Sequence, residues 1–272
     1  MKDNFSRGIL YIATGQKYID EAIQSAGSCK EHNHVAIALI TDRQDYILPS
    51  GLFDQVIIKD AQFSYVDKLL LRHSPFESTI FLDTDTLVCE KLDDLFQILN
   101  YREFAIHQAD EGYEFNMPEV SNAMPEFNTG VIAYKNTENV MQLFKDWGES
   151  FNEYQEIQTD QWHLRKTLYE SNVKFAIFSS AYNFIIYYPN FVIQTVKVLH
   201  GRPFAELKKI AQQINTIRHE NAWRRLYYPY NKTFYIIYQN QNNKDICNQI
   251  IQLTRAFIAN MFRKFTDLYR RK

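Results

Sequence analysis

Two aspartates one residue apart, Asp83 and Asp85, directly follow the apolar run Thr79-Ile80-Phe81-Leu82. Acids at i and i+2 just past a strand can both turn toward one cation, and hard divalent ions such as Mg²⁺ and Mn²⁺ take oxygen ligands. A cation held there can bridge two phosphates, neutralise a departing diphosphate and orient it. The same acids also suit a solvated acidic turn ahead of a short helix at 91–99, and an Asp-x-Asp spacing alone does not choose between the two.

Other polar residues carry paired readings of the same kind. Lys68 and Arg72 are one helical turn apart and share a face, either as ligand contacts or as a basic edge snorkelling over an apolar helix. Arg202, between Gly201 and Pro203, has the planar fork that clamps a diphosphate, or it is a solvated charge beside a turn. Asp160 follows Thr159 at the start of a helical stretch, where it serves a substrate or simply the helix N-terminus. His200 closes the apolar stretch 191–199. As a metal ligand it is neutral and needs an acceptor for its other ring nitrogen; as a core or surface histidine it needs neither.

The elements that must position these residues alternate. Apolar runs at 8–13, 35–41, 55–58, 79–82, 104–107 and 130–134 predict buried strands, and helical spacing recurs at 19–25, 65–72, 140–149 and 159–170. This order predicts an α/β fold with a mostly parallel sheet covered by helices on both faces, whose ligands lie beyond the carboxyl ends of strands. The composition changes after Pro203. Helical segments, an aromatic stretch at 226–238 and a last helix at 246–269 predict a helical, aromatic and basic extension over 204–272, appended to a catalytic domain over 1–203.

At 272 residues the chain is long enough for one large core. A formal charge of -2 excludes a surface-wide field for nucleic acid or membrane, so an electrostatic partner is met by a local patch. Cys29, Cys89 and Cys247 lack the spacing of a zinc site or a disulfide framework and read as reduced thiols. The opening residues have no apolar signal region, and no run approaches the roughly 18 apolar residues of a membrane helix. A cytoplasmic location is expected. The last helix carries Arg255, Arg263, Lys264, Arg270, Arg271 and Lys272 beside an apolar stripe, which suits either core packing with a solvated basic face or peripheral contact with the inner face of a membrane.

Several segments, in order, resemble the metal-dependent glycosyltransferases of the GT-A fold, in particular the glycogenin and lipopolysaccharide galactosyltransferase family (family 8), over about residues 8–203. Ile12-Ala13-Thr14-Gly15-Gln16-Lys17-Tyr18 is similar to the nucleotide loop of that family, which implies donor contacts from Ala13, Thr14 and Tyr18. Lys68 stands where the family keeps a basic donor contact. Phe81-Leu82-Asp83-Thr84-Asp85 resembles its metal motif, with Thr84 beside the donor. Phe127-Asn128-Thr129-Gly130-Val131 implies that Asn128 lies near the donor sugar, and Asp160-Gln161 resembles the pair beside the reacting sugar. Leu199-His200-Gly201-Arg202-Pro203 is similar to the late segment that supplies a third metal ligand, His200, and phosphate contacts, Gly201 and Arg202. The chain departs from the family at Gly15, where an Asp usually reads the base, at Trp162, where a further Asp usually follows, and in the short spacer after His200.

The resemblance implies transfer of a sugar from a nucleotide-diphosphate donor, a UDP-sugar by first preference, to a glycan or lipid-linked acceptor, with Mn²⁺ or Mg²⁺ as cofactor and retention at the anomeric carbon. It implies no nucleic-acid partner. Two rivals stand beside it: a metal-dependent nucleotidyltransferase or phosphohydrolase, which normally needs more carboxylates or a Gly-rich phosphate loop, and a non-catalytic protein of the same fold. The acidic stretch 108–125 is expected, from position alone, to cover the site.

Overall fold

The computed structural model describes residues 6–109, 117–216 and 222–238, together with Ile251, Thr254 and Arg255. The chain opens with β1 (Arg7–Ile12), α1 (Gln16–His32), β2 (Ala36–Thr41) and β3 (Gln55–Ile58), then a 3-10 segment, Tyr65–His73. There follow β4 (Ser78–Leu82), β5 (Thr86–Val88), α2 (Asp93–Ile98), β6 (Phe104–Gln108), β7 (Phe127–Lys135), α3 (Glu138–Glu153), α4 (Asp160–Glu170) and β8 (Phe175–Phe178). The short strands β9 (Phe184–Ile185), β10 (Asn190–Val192) and β11 (Val198–His200) lead into α5 (Phe204–Ile214) and the hairpin of β12 (Ala222–Tyr228) and β13 (Thr233–Tyr238).

The central sheet has the strand order β3-β2-β1-β4-β7-β6-β8. Its strands are parallel except where β7 runs against β4 and β6. Side chains alternate across a sheet, so covering both faces demands near-continuous apolar strands. Ile9, Tyr11, Ile37, Leu39, Ile80 and Leu82 pack on the face that carries α1 and α2. Leu10, Ala38, Ile40, Phe81, Ile132 and Tyr134, from the same strands and β7, pack on the face of α3, α4 and the 3-10 segment. The expected α/β architecture with a mostly parallel, doubly covered sheet is the one observed.

The site location follows from this order. After β1 the chain adds β2 on one side and later places β4 on the other, so the strand order reverses at β1, and a crevice opens beyond the carboxyl ends of β1 and β4. Asp83 and Asp85 fall there. A second sheet, β5-β11-β9, pairs His200 with Thr86 across β11 and β5, and so brings a residue distant in sequence beside the two acids.

Past α5 the chain differs from a helical extension. The aromatic stretch pairs as β12 and β13, and β12 adds β10 to make a third, antiparallel sheet. Aromatic and β-branched residues fit a pleated, half-buried surface, and Lys232 takes the left-handed turn conformation, φ 53°, between the strands. Leu207, Ile210 and Ile214 of α5 pack with Phe184, Leu199 and Tyr227. The helix expected at 246–269 lies, apart from Ile251, Thr254 and Arg255, outside the described residues, as do residues 110–116 of the acidic stretch. No helix among the described residues is long and apolar enough to cross a membrane. Cys29 and Cys89 are free, with burial pushing both thiols up to about 12; Cys247 is not among the described residues.

One buried hydrogen bond ties the 3-10 segment to the sheet. The Tyr134 hydroxyl donates to the Leu71 carbonyl at 2.6 Å, and burial raises its pKa. Tyr134→Phe removes one of the two hydrogen bonds that carbonyl accepts, the other coming from the Ser74 amide at 3.0 Å, which costs about 0.5–1.5 kcal/mol. Urea unfolding of the variant is expected to show a lowered midpoint at an unchanged slope; an unchanged midpoint would refute the role of this bond.

Candidate functional site

The loop between β4 and β5 carries the acids, and three backbone or hydroxyl bonds shape it. The Asp83 amide donates to the Gly130 carbonyl at 2.8 Å, the Gly201 amide to the Asp85 carbonyl at 2.9 Å, and the Thr86 hydroxyl to the Asp83 carbonyl at 2.8 Å. The carboxylates of Asp83 and Asp85 and a ring nitrogen of His200 thereby lie within 4.8 Å of one another. His200 Nε2 is 3.4 Å from Asp85 and 3.9 Å from Asp83.

The orientation of His200 can be deduced from a donor that has no choice. The Gly130 amide donates to Asn128 Oδ1 at 3.0 Å, which fixes that amide group. Asn128 Oδ1 accepts from Asn183 Nδ2 at 2.8 Å, so Asn183 presents Oδ1 to His200 Nδ1 at 2.9 Å. The proton of a neutral His200 therefore sits on Nδ1, and the Nε2 lone pair faces two carboxylates. A lone pair aimed at two anions is repulsive unless a positive charge lies among them. Burial disfavours charge on His200, but the hydrogen bond and charge of Asp85, with Asp83 beyond, outweigh it and raise its pKa. Two carboxylate oxygens and one imidazole nitrogen, with the far nitrogen held by an acceptor, form a donor set that fits a divalent cation.

Gly130 makes the seat possible. A Cβ added there would stand 2.2 Å from the His200 ring. β7 also departs from regular pairing at this point, since Ile106 faces Ile132 but His107 faces Asn128. Such bulges re-aim side chains, and this one turns Thr129 and Asn128 into the cleft.

Opposite the triad, Lys68 donates to Asp83 at 3.2 Å and to the Thr129 hydroxyl at 3.0 Å, and pairs with Asp160 at 3.1 Å. The Thr129 hydroxyl donates to the same Asp160 oxygen at 2.6 Å. Burial works against the Lys68 charge, but Asp160 and Asp83 more than offset it and its pKa rises. Burial pushes the Asp83 carboxyl up; Lys68 opposes this and Asp85 adds to it. For Asp85 burial is outweighed by His200 and Arg202, and its pKa falls to about 2. Asp160 opens α4, whose start is anchored by Trp147 Nε1 donating to the Asp160 carbonyl at 3.1 Å.

Arg202 closes the other side, with Nη1 2.7 Å from Asp85 and its remaining edge on Glu21. The cleft holds about 530 Å³. The structure brings to its walls Thr14, Tyr18, Lys68, Asp83, Thr84, Asp85, Asn128, Asp160, Gln161, His200 and Arg202 from the residues singled out in the sequence. Ala13 lies in the core with its amide bonded to Ile40, and Gly201 lies behind His200 with its amide on Asp85; neither lines the cleft. Arg72 donates to His73 Nε2 at 3.3 Å and does not line the cleft.

Sequence reasoning passed over Asp67, Thr129, Asn183 and Glu21. Asp67 accepts from the amides of Gln62 and Phe63 and from the Thr14 hydroxyl, which pins the loop after β1 to a turn where Phe63 holds φ 54°. Its one sequence signal is an acid beside Lys68 on an otherwise apolar segment. Gly130→Ala is expected to lower stability by about 1–3 kcal/mol through overpacking and to move the His200 ring resonances in NMR spectra of the folded variant. Ring resonances identical to the parent would refute the tight seat.

No curated protein matches the chain. Among solved structures it is similar to the glycosyltransferase GlyE of Streptococcus pneumoniae TIGR4, with 17% identity and a TM-score of 0.56 over 79% of this chain, and spans 61% of the length of that protein. It is equally similar in fold to the galactosyltransferase LgtC, solved with donor and acceptor sugar analogues, with 14% identity and a TM-score of 0.56 over 78% of this chain and 98% of that one. A family model, nucleotide-diphospho-sugar transferase, matches residues 66–206, more than half of the chain and the span from the 3-10 segment to α5. With a GT-A fold and with Asp83, Asp85 and His200 gathered at its switch point, the chain belongs to the nucleotide-diphospho-sugar transferase family of glycosyltransferases.

Proposed function

We propose that the chain transfers a glycosyl group from a nucleoside-diphosphate sugar, a UDP-sugar by first preference, to a hydroxyl of a glycan or lipid-linked acceptor, with retention at the anomeric carbon. Mn²⁺ or Mg²⁺ would be held by Asp83, Asp85 and His200. The observation that carries the reading is the His200 lone pair directed, by the relay from Gly130 through Asn128 and Asn183, at two carboxylates in a cleft of a size to take a nucleotide sugar.

A bound divalent cation supplies charge neutralisation for the diphosphate as it leaves. The protein's own groups do the rest. Lys68 and Arg202 put positive charge on either side of the acids, where phosphate oxygens gain charge as the glycosyl bond breaks. Asp160, held by Lys68 and Thr129, places negative charge near a C1 centre that develops oxocarbenium character. Gln161 adjoins it in the first turn of α4 and lines the same cleft. Tyr18, exposed on the opposite wall, suits stacking on a base. The basic residues from Arg255 to Lys272 in the sequence favour a lipid-linked acceptor at an anionic membrane surface.

Calorimetric titration of UDP, GDP, ADP and CDP, in Mn²⁺ and in chelator, tests the reading on the parent chain and on Asp85→Asn. One diphosphate is expected to bind in Mn²⁺, to lose binding in chelator, and to bind Asp85→Asn at least about tenfold more weakly. Equal binding in chelator, or by the folded variant, would sink the metal-dependent donor site. A vesicle flotation assay tests the acceptor side: the chain is expected to float with vesicles containing phosphatidylserine and to lose this when Arg270, Arg271 and Lys272 are replaced by Gln. Indifference to that replacement removes the argument for a lipid-linked acceptor.

A further inference from the structure

Glu21 has no place in the reading above, yet it holds the most fully engaged surface cation of the cleft. It lies on α1, one turn beyond Tyr18. Its two carboxylate oxygens take Arg202 Nε at 2.8 Å and Nη2 at 2.9 Å, a parallel fork, and Oε2 also accepts the Thr84 hydroxyl at 2.9 Å. The remaining edge of the guanidinium meets Asp85 at 2.7 Å, and its carbon lies 5.8 Å from the centroid of the Tyr18 ring. The glutamate is well shielded, with 17% of its side chain exposed, whereas Arg202 is 41% exposed at the mouth of the cleft.

These contacts have one geometric result. A guanidinium is a rigid plane, so two parallel bonds to Glu21 fix both its position and its rotation. With Nε and Nη2 committed, Nη1 is the edge turned toward Asp85 and the interior. Without Glu21 the long arginine stem has several rotamers, and Asp85 alone holds it through one nitrogen. Thr84, between the two acids of the metal motif, is tied to the same carboxylate, so Glu21 also sets the height of that loop against α1.

We infer that Glu21 is a positioning residue for the donor diphosphate: it orients Arg202 so that the Nη1 edge is presented to phosphate oxygens. This rests on the donor-site reading above and adds the residue that aims its arginine. A diphosphate arriving beside Asp85 meets a guanidinium already placed, and the rotational freedom that binding would otherwise remove has been removed on folding.

Calorimetry of nucleoside diphosphate binding in Mn²⁺ by the parent chain, Glu21→Gln, Arg202→Ala and the double variant provides the test. Glu21→Gln keeps the shape of the side chain but loses its charge and one acceptor. It is expected to weaken binding roughly tenfold, the scale of one charge-assisted hydrogen bond, while thermal melting stays within a few degrees of the parent. Because Glu21 acts through Arg202, the double variant should bind no more weakly than Arg202→Ala alone. Inorganic pyrophosphate should show the same pattern, since the contact is to phosphate and not to the base. Should Glu21→Gln fail to fold, Arg202→Lys keeps the charge without the fork and is expected to lose binding to the same extent. Losses that add in the double variant, or parental affinity in both Glu21→Gln and Arg202→Lys, would overturn the inference and leave the donor site standing. Absence of any nucleotide binding by the parent chain would overturn both.

Discussion

The ammonium of Lys68 is the charge around which this cleft is built. Asp83 and Asp160 approach from different elements, the end of β4 and the start of α4, and both are largely removed from water. Two carboxylates so placed repel each other and lose hydration, a cost of several kcal/mol per ion unless met by a partner. Lys68 stands between them and reaches both. For it to do so, the 3-10 segment must sit at one height above the sheet, and the packing there serves that end: Ser64 caps its start, Leu71 is tied to Tyr134, and Leu69 lies against α3. The doubly covered sheet, the anchoring of α4 by Trp147 and the placement of the 3-10 segment are three parts of one solution to burying that pair.

The triad of Asp83, Asp85 and His200 poses a second problem of the same kind, and geometry answers it before charge does. β11 pairs with β5, which sets His200 opposite Thr86 and therefore one residue beyond the second acid. The relay from the Gly130 amide through Asn128 and Asn183 then decides which nitrogen carries the proton. Every member of that relay is buried or nearly so, and a buried polar network is stable only when each group is satisfied. The consequence is a histidine that cannot turn over without stranding Asn183. A donor set of this kind is organised by folding alone.

Much of this was legible in the sequence, for physical reasons that can be stated. Buried strands in a doubly covered sheet are continuous apolar runs, so β1, β2, β4 and β6 stood out, and a pair of acids at the end of such a run is costly enough to need a purpose. The longer β7 was legible only in part, because Asn128 and Thr129 interrupt its apolar pattern at the bulge where they are needed. The 3-10 geometry of 65–73 and the β pairing of the aromatic stretch were not legible, since helical spacing over two turns fits either helix and since the aromatic run gave no turn signal strong enough to mark the hairpin in which β12 and β13 pair with each other. Asn183 and Glu21 gave no signal at all. An Asn in a loop and a Glu on an amphipathic helix are ordinary surface chemistry in one dimension, and what sets them apart is a partner about 17 residues away in the one case and 181 in the other.

The two cations of the cleft are not equivalent, and the difference follows from burial. Lys68 is 13% exposed and bound to two acids in the interior; moving it would leave Asp160 with a buried charge held by Thr129 alone, a change on the scale of breaking a buried pair. Arg202 is 41% exposed although its partners Asp85 and Glu21 are 8% and 17% exposed, so it meets water from the mouth while the fork to Glu21 holds it from behind. A charge fixed deep in the cleft needs no reorganisation when charge develops beside it. A charge held at the mouth in this way is reached directly by an anion entering from water. The cleft is therefore graded, enclosed at Lys68 and open to water at Arg202, with Asp83 and Asp85 between them.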